Sequence, residues 1–179
     1  EAGGVHTAQG SWNPTKGVFE ARRELPVYQR QPFPELLLGE AGPRFADAGT
    51  TVEETDAVRL WTLDNEVLIA SIKTKMHAIS PEVCEGLMQA VELAEAQYQG
   101  LVVWSGDEPF SVGADLQAML PAFLAVGVAA IEDAEGFMQQ TMLRLRYASV
   151  PVVSAIRGMA LGGGCELAVY SGRRVAHME

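Results

Sequence analysis

The stretches Phe110-Ser111-Val112-Gly113-Ala114-Asp115-Leu116 and Gly158-Met159-Ala160-Leu161-Gly162-Gly163-Gly164-Cys165-Glu166-Leu167-Ala168 decide the fold of this chain. Each stretch follows a short apolar run that is typical of a buried strand, and each leads into a helical pattern. A strand that ends in glycine and opens a helix presents backbone N–H groups to whatever lies above it. Two such ends placed side by side can hold a developing oxyanion between two N–H donors.

The triple glycine Gly162-Gly163-Gly164 has more glycine than a tight turn between a strand and a helix needs. Glycine here lets a substrate approach the backbone closely and leaves N–H groups uncovered. Glu166 falls in the first helical turn, where a carboxylate ordinarily complements the helix dipole. Its neighbours are apolar, which predicts a buried helix, and a buried acid usually has a chemical role or a partner. We therefore interpret Glu166 as a functional acid/base group.

From Ala57 onward the pattern alternates strands with helices, which predicts an α/β fold with parallel βαβ units. Ser80-Pro81-Glu82 is a strong helix start, because it combines an N-cap hydroxyl, a proline at the first helical position and an acid in the first turn. Pro121 is expected to bend or shorten the helix after the first glycine stretch. The predicted strands are 57–63, 66–73, 100–104, 150–156 and 174–178, and the predicted helices are 81–97, 114–124, 129–147 and 163–170.

The composition excludes several classes of protein. The net charge is −10, from 13 Lys and Arg against 23 Asp and Glu, which argues against nucleic-acid binding. An acidic protein that binds an anion must use local donors instead of its overall field. No apolar run is long enough to span a bilayer, and the N-terminus lacks a signal-peptide layout. Cys84 and Cys165 show no metal-ligand spacing, so buried free thiols, no bound metal and a cytoplasmic location are expected.

Residues 1–55 differ from the rest of the chain in composition and pattern, with five of the nine prolines, scattered aromatics and no long periodic run of apolar residues. Proline-rich disorder usually lacks aromatics, so we predict a linker or extension that packs on a partner surface, without a fold of its own. Residues 56–179 are predicted to form one domain. Because the chain starts without methionine and stops directly after a strand-like run, we expect a piece of a longer protein. The five prolines are Pro14, Pro26, Pro32, Pro34 and Pro43.

From about Ala57 onward the chain resembles the crotonase superfamily, specifically its enoyl-CoA hydratase/isomerase branch. The two glycine stretches match two signatures of that family nearly letter for letter. The segment Met76-His77-Ala78-Ile79-Ser80-Pro81-Glu82 resembles the usual segment before the first helix, with His77 where asparagine is common. The resemblance implies the N-terminal part of a crotonase-like ββα spiral core, truncated at its C-terminus and preceded by an irregular extension.

The resemblance also implies roles for individual residues. The N–H groups of Ala114 and Gly163 would form the oxyanion hole for an acyl-CoA thioester, and Glu166 would be the first of two catalytic glutamates. Such enzymes add water across the double bond of a 2-enoyl-CoA, and the glutamates hold and activate that water. Other residues expected to contact the substrate or its CoA part are Lys75, His77, Ala78, Ser111, Gly113, Asp115, Leu116, Leu161 and Gly162.

Two of these assignments have ordinary alternatives. Lys75 can offer a positive charge to a phosphate or simply be solvated. Asp115 opens a helix, so the residues alone favour a capping role for it. His6 and His177 show no recognisable site geometry.

The chain departs from the family in ways that leave three hypotheses open. The family's second glutamate and the C-terminal helices that cover the acyl site and build a trimer lie beyond Glu179, and Ser171-Gly172 stands where aspartate is frequent. The first hypothesis is a hydratase part of a fatty-acid β-oxidation enzyme. The second is a Δ3,Δ2-enoyl-CoA isomerase, which can work with one carboxylate, and the third is an inert acyl-CoA-binding fragment.

The N-terminal segment resembles the connector of fused β-oxidation proteins that also carry a 3-hydroxyacyl-CoA dehydrogenase part. NAD would then serve that other part, while this part is expected to need no cofactor. Intact family members are usually trimeric or belong to a multifunctional complex.

Overall fold

The computed structural model describes residues 6–7, 10–21 and 49–177. The chain divides into two compact units, residues 1–48 and residues 49–179. The described part of the first unit is a small antiparallel sheet in the order β1–β2–β3. Its strands are β1 (His6–Thr7), β2 (Gly10–Asn13) and β3 (Val18–Glu20).

Short-range contacts hold the turn between β2 and β3. The side-chain oxygen of Asn13 accepts hydrogen bonds from the backbone N–H groups of Thr15 and Lys16. The rings of Trp12 and Phe19 meet edge to face with centroids 5.2 Å apart. This small sheet gives no signal in the sequence, because strands of two to four residues are too short to show a period. The prediction of an extended linker rests largely on residues 22–48, which lie outside the described residues.

The second unit contains a six-stranded sheet in the order β4–β5–β6–β7–β8–β9. The first three strands pair antiparallel, and β6 through β9 pair parallel. Its strands are β4 (Thr50–Glu54), β5 (Val58–Thr62), β6 (Val67–Ile72), β7 (Gly100–Val103), β8 (Val152–Ile156) and β9 (Arg173–Ala176).

The sheet starts before the predicted domain boundary at residue 56. Strand β4 pairs with β5 from Thr50 onward, and the compact unit begins at Gly49. Every residue of β4 is exposed, so this edge strand has no buried face and no apolar alternation. The boundary is therefore corrected to Gly49, because an exposed polar strand gives no hydrophobic signal.

Four α-helices lie in the described part of this unit: α1 (Pro81–Gln97), α2 (Leu116–Val126), α3 (Val128–Arg146) and α4 (Gly163–Tyr170). Helix α1 packs on β5, β6 and β7, while α3 packs on α1 and α4. Along α1, apolar residues at helical spacing are buried, as are three apolar residues of α3. These residues are Val83, Leu87, Val91, Ala94, Met138, Met142 and Leu145.

The start of α1 follows the predicted cap. The hydroxyl of Ser80 accepts a hydrogen bond from the N–H of Val83 and donates one to the carboxylate of Glu82. This hydroxyl lowers the pKa of Glu82 from its ordinary value. Proline at the first helical position leaves no N–H without a partner there, so the helix begins where the sequence places it.

Helix α2 differs from its prediction. It continues through Pro121 as far as Val126, two residues beyond the predicted end. Proline removes one backbone donor, and the other hydrogen bonds of the helix are sufficient to continue the helix past Pro121. None of its residues is buried, although most are apolar.

A charged cluster joins α1 to the C-terminal end of α3. The guanidinium of Arg144 donates to both carboxylate oxygens of Glu95, at 2.9 and 2.5 Å, and the N–H of Ser149 donates to the same carboxylate at 2.7 Å. The hydrogen bonds from Arg144 are the largest cause that lowers the pKa of Glu95 to about 2. The cluster fixes the helix pair at the point where the chain turns back into β8.

We predict that Glu95→Gln lowers the free energy of unfolding at neutral pH by about 1 kcal/mol, since it weakens charge-assisted hydrogen bonds at a partly exposed site. The pKa of Glu95 is depressed in the folded state, so its stabilisation is present above the ordinary pKa of 4.5 and is lost as the pH falls towards 2. Urea unfolding of both proteins at pH 7 and pH 3 measures this convergence. Glu85→Gln, on the exposed side of the same helix, is the control. A constant difference between Glu95→Gln and the parent at both pH values would contradict the prediction.

Candidate active site

The carboxyl ends of the parallel strands β6, β7 and β8 meet at one edge of the sheet, as predicted. The segments that follow these strands pair with one another beyond the sheet. Ile79 forms a parallel bridge with Ala114, and Ser111 forms one with Ala160. These bridges bring the two glycine stretches side by side, with the segment before α1 on the other side of the first stretch.

The backbones of the two glycine stretches approach more closely than side chains would allow. A Cβ atom on Gly113 would lie 2.7 Å from the carbonyl oxygen of Leu161 and 2.9 Å from the nitrogen of Gly163. A Cβ atom on Gly163 would lie 3.6 Å from the nitrogen of Ala114. The φ of Gly113 is also +91°, a region that favours glycine. The nitrogens of Ala114 and Gly163 are therefore neighbours.

Both of these N–H groups are available to a ligand. Among the hydrogen bonds of residues 49–177, neither the N–H of Ala114 nor that of Gly163 has an acceptor. Gly163 is the first residue of α4, where a helix leaves its N–H groups without intrahelical partners. The next N–H groups of α4 are occupied, since Gly164 donates to Leu161 and Cys165 donates to Gly162. The predicted pair of donors is thus placed together and unoccupied.

Glu166 lies in the first turn of α4, and its N–H donates to the carbonyl oxygen of Gly162 at 3.1 Å. Its side chain is exposed and has no hydrogen-bond or ionic partner within the described part of the chain. The prediction of a buried helix is half wrong: Leu167 and Ala168 are buried, while Cys165 and Glu166 are exposed. An apolar run cannot show which face of a short helix finds a neighbour, and here one face packs on α3 and β8.

The segment before α1 is held by His77. Its ring is buried, with Nδ1 2.6 Å from the carbonyl oxygen of Pro109 and Nε2 3.2 Å from the carboxylate of Asp107. Met76 and His77 have φ values of +56° and +52°, in the left-handed region that is strained for residues with a side chain. The ring predicted to contact the substrate therefore faces the loop after β7 instead.

Ser111 and Asp115 also differ from the substrate contacts expected of them. The side chain of Ser111, in the first glycine stretch, is fully buried. The carboxylate of Asp115 caps α2, where it accepts hydrogen bonds from the N–H groups of Gln117 and Ala118. The capping role that the residues alone favour for Asp115 is confirmed.

The remaining predicted contacts lie around the donor pair. Lys75 is exposed and has no ion pair within the described residues. Leu116 and Leu161 are exposed, and Ala78 is half-buried. Gly162 precedes α4 with a φ of +48° and open space where a side chain would stand. These residues form the rim of the site. Most of them are exposed, and Lys75 is the positively charged residue among them.

A cleft opens beside Ala114 between α1, α2 and α3. Its lining is mostly apolar, with Glu135 as its charged member; the lining residues are Ile79, Ser80, Pro81, Cys84, Ala114, Met119, Ala134, Glu135, Phe137 and Met138. Met138 is buried in the core and also lines this cleft, and its sulfur would lie 3.1 Å from a Cβ on Gly163. Apolar residues at helical spacing predict burial, but they cannot show which buried residues also line a cleft.

Burial raises the pKa of the Cys84 thiol, and Cys84 is buried as predicted while Cys165 is not.

The described residues show no group of three His, Cys, Asp or Glu side chains that could hold a metal ion. Among the described helices, none is both long and apolar enough to cross a membrane. Backbone donors, the carboxylate of Glu166 and the mostly apolar cleft lie at this edge of the sheet.

Two unoccupied N–H donors at neighbouring strand ends, with a carboxylate one helical turn away, define an α/β protein whose site suits a developing oxyanion. Residues 65–178 match the family described as enoyl-CoA hydratase/isomerase. The chain belongs to this family, and the resemblance to the crotonase superfamily is confirmed.

Its relatives are longer proteins. Over 128 residues, 72% of this chain, it is 37% identical to a protein of Rickettsia felis described as a fatty acid oxidation complex trifunctional enzyme, of which it covers 18%. Over 124 residues, 63% of this chain, it is 36% identical to the fatty acid oxidation complex subunit alpha of Shewanella loihica, of which it covers 16%.

The fold agrees with solved structures. An enoyl-CoA hydratase/isomerase from Xanthobacter autotrophicus superposes with a TM-score of 0.62 at 26% identity, over 69% of this chain and 46% of that one. The chain thus spans less than a fifth of the two curated relatives and about half of this solved chain.

The close approach of the glycine stretches generates a prediction about stability. Gly113→Ala is expected to lower the free energy of unfolding by about 2 kcal/mol or more, since the new methyl group meets backbone atoms at a strained φ. Gly162→Ala is the matched control, because its φ is also positive while its surroundings are open, and about 1 kcal/mol is expected. Urea unfolding followed by tryptophan fluorescence compares the two variants. Equal losses would contradict the close approach.

Proposed function

We propose that this chain forms part of an enoyl-CoA hydratase that adds water to 2-enoyl-CoA thioesters in fatty-acid β-oxidation. The observation that carries the proposal is the pair of free N–H donors of Ala114 and Gly163 with Glu166 one turn away. In the proposed reaction the two donors receive the thioester oxygen as negative charge develops on it. Removal of one such donor typically costs about 2.7–4 kcal/mol of barrier.

Glu166 is the proposed acid/base group. It is proposed to exchange protons with the water and with the substrate carbon that gains or loses a proton. Its exposed carboxylate has no protein partner among the described residues, so it is free to bind water. A positioned acid/base group contributes about 10²–10⁴-fold to a rate. The apolar cleft beside Ala114 is the proposed location of the acyl chain, and Lys75 at the rim is proposed to meet a phosphate of CoA.

The setting of this activity is also part of the proposal. The relatives named as trifunctional enzyme and complex subunit support a multifunctional β-oxidation protein in the cytoplasm, with a 3-hydroxyacyl-CoA dehydrogenase part elsewhere that uses NAD. A trimer or a larger complex is the proposed assembly. The hydratase part itself is proposed to use no cofactor.

An isomerase is the second candidate, because it can work with one carboxylate, and Glu166 lies in the first turn of α4. Moving a double bond needs one group that takes a proton from one carbon and returns it to another. A 3-enoyl-CoA offered to the intact protein separates the candidates. Conversion to the 2-enoyl isomer without hydration supports the isomerase.

We predict that Glu166→Gln in the intact protein abolishes hydration of a short 2-enoyl-CoA while the thioester still binds. The amide cannot accept or deliver the proton, whereas the oxyanion donors remain in place. Loss of the enoyl absorbance measures turnover, and calorimetry with a saturated acyl-CoA measures binding. Glu132→Gln on the exposed face of α3 serves as the control. Undiminished turnover by Glu166→Gln would exclude this residue as the acid/base group.

Lys75 gives a separate prediction about the CoA part of the substrate. Lys75→Ala is expected to raise the KM for an enoyl-CoA several-fold and to leave the KM for the corresponding enoyl-pantetheine unchanged, since pantetheine lacks the nucleotide phosphates. Lys73→Ala is the matched control, because Lys73 is already engaged by Glu54 at 2.8 Å and by the carbonyl oxygen of Thr55 at 2.7 Å. Equal effects of Lys75→Ala on both substrates would argue against a phosphate contact.

A further inference from the structure

The buried hydroxyl of Ser111 connects the segments that build the donor pair. It donates a hydrogen bond to the carbonyl oxygen of His77 at 2.7 Å and accepts one from the N–H of Gly113 at 3.1 Å. The backbone of Ser111 accepts from the N–H of Leu161 at 2.9 Å and donates to the carbonyl oxygen of Met159 at 3.2 Å. One residue thus contacts the segment before α1 and both glycine stretches.

The hydroxyl of Ser111 acts close to the donors themselves. By holding the N–H of Gly113, it fixes the peptide that precedes the Gly113–Ala114 peptide, whose N–H is the first donor. The second donor, the N–H of Gly163, is followed in the chain by Gly164, which packs against Ser111. A Cβ on Gly164 would lie 2.7 Å from the Cβ of Ser111. Ser111 thus contacts the residues next to both donors, Gly113 before Ala114 and Gly164 after Gly163.

The partner of this hydroxyl needs to be held. His77 has a φ of +52°, a strained conformation, and in it the carbonyl oxygen accepts the hydrogen bond from Ser111. The His77 ring is fixed on the other side by Pro109 and Asp107. A strained backbone persists where its surroundings determine it, and here the surroundings are the loop that carries Ser111.

We propose that Ser111 is a positioning residue of the active site, which sets the Ala114 N–H donor through Gly113 and is itself oriented by the His77 carbonyl. The proposal rests on the proposed function for the identity of the bound group, a thioester carbonyl. It assigns Ser111 no contact with substrate. An oxyanion hole works only when its donors are held in place before the reaction, so this hydroxyl acts on the rate of the chemical step and not on substrate affinity.

The test uses Ser111→Ala in the intact protein. The kcat for a short 2-enoyl-CoA is expected to fall about tenfold to hundredfold, less than or equal to the loss of a whole donor, with KM within about twofold of the parent value. A second readout does not need turnover. Bound para-dimethylaminocinnamoyl-CoA absorbs at longer wavelength when its thioester carbonyl is polarised, and Ser111→Ala is expected to reduce this shift by half or more.

Ser71→Ala is the matched control. The Ser71 hydroxyl also makes one donated and one accepted hydrogen bond, to the carbonyl oxygen of Trp104 at 2.6 Å and from the indole N–H of Trp61 at 2.9 Å, away from the glycine stretches. Both variants are expected to lose stability, and only Ser111→Ala is expected to lose kcat and the spectral shift. An equal loss of shift in Ser71→Ala would overturn the proposal, because it would assign the effect to general loosening.

Ser111→Cys covers the case in which the alanine variant does not fold, since cysteine keeps the shape and a weaker donor. The proposal is supported if kcat and the spectral shift of Ser111→Cys fall below the parental values by less than the loss of a whole oxyanion donor would cause. It is overturned if both values equal those of the parent. The two proposals fail separately. If the parent shifts the chromophore but hydrates no enoyl-CoA, the hydratase is rejected and the Ser111 comparison still decides. A parent protein that binds the chromophore without any shift overturns the positioning role.

Discussion

The site depends on the contact between the backbones of Gly113 and Gly163, at a distance that leaves no room for a Cβ atom on Gly113. Parallel strands place their carboxyl ends at one edge of the sheet, but strands alone keep neighbouring backbones several ångströms apart, about 4.7–4.9 Å. Glycine at position 113 removes that limit just beyond β7. Two N–H groups from chain segments about fifty residues apart then converge on one point.

Such convergence has a structural cost, and neighbouring segments offset it. The positive φ values of Met76 and His77 lie directly beside the first glycine stretch, in the segment that pairs with Ala114 through Ile79. Buried hydrogen bonds from the loop after β7 hold this strained turn, and the turn in return orients the loop. The donors are thus fixed by a closed set of contacts among three strand ends, which the Ser111 hydroxyl helps to join.

The sequence predicts those features that leave a local pattern. The start of α1 at Ser80-Pro81, the bounds of α4 and the meeting of the glycine stretches follow from capping chemistry and from the geometry of parallel sheets. Strand β4 is missed, because an edge strand exposed on both faces shows no hydrophobic period. The bond from Ser111 to His77 joins residues 34 positions apart, and the exposure of Glu166 depends on which neighbour covers α4. Neither has a signature within one window of sequence.

Backbone N–H donors suit a site that is proposed to bind an anionic substrate. A cationic side chain would bind the phosphates of an anionic ligand as well as a developing oxyanion, and so would stabilise the bound substrate along with the transition state. Neutral N–H dipoles interact weakly with a neutral carbonyl and strongly with an oxygen that gains charge. Lys73 is engaged by Glu54, and Lys75 is proposed to meet a phosphate of CoA instead of the oxyanion. In the proposed reaction, affinity and rate enhancement are therefore supplied by different residues.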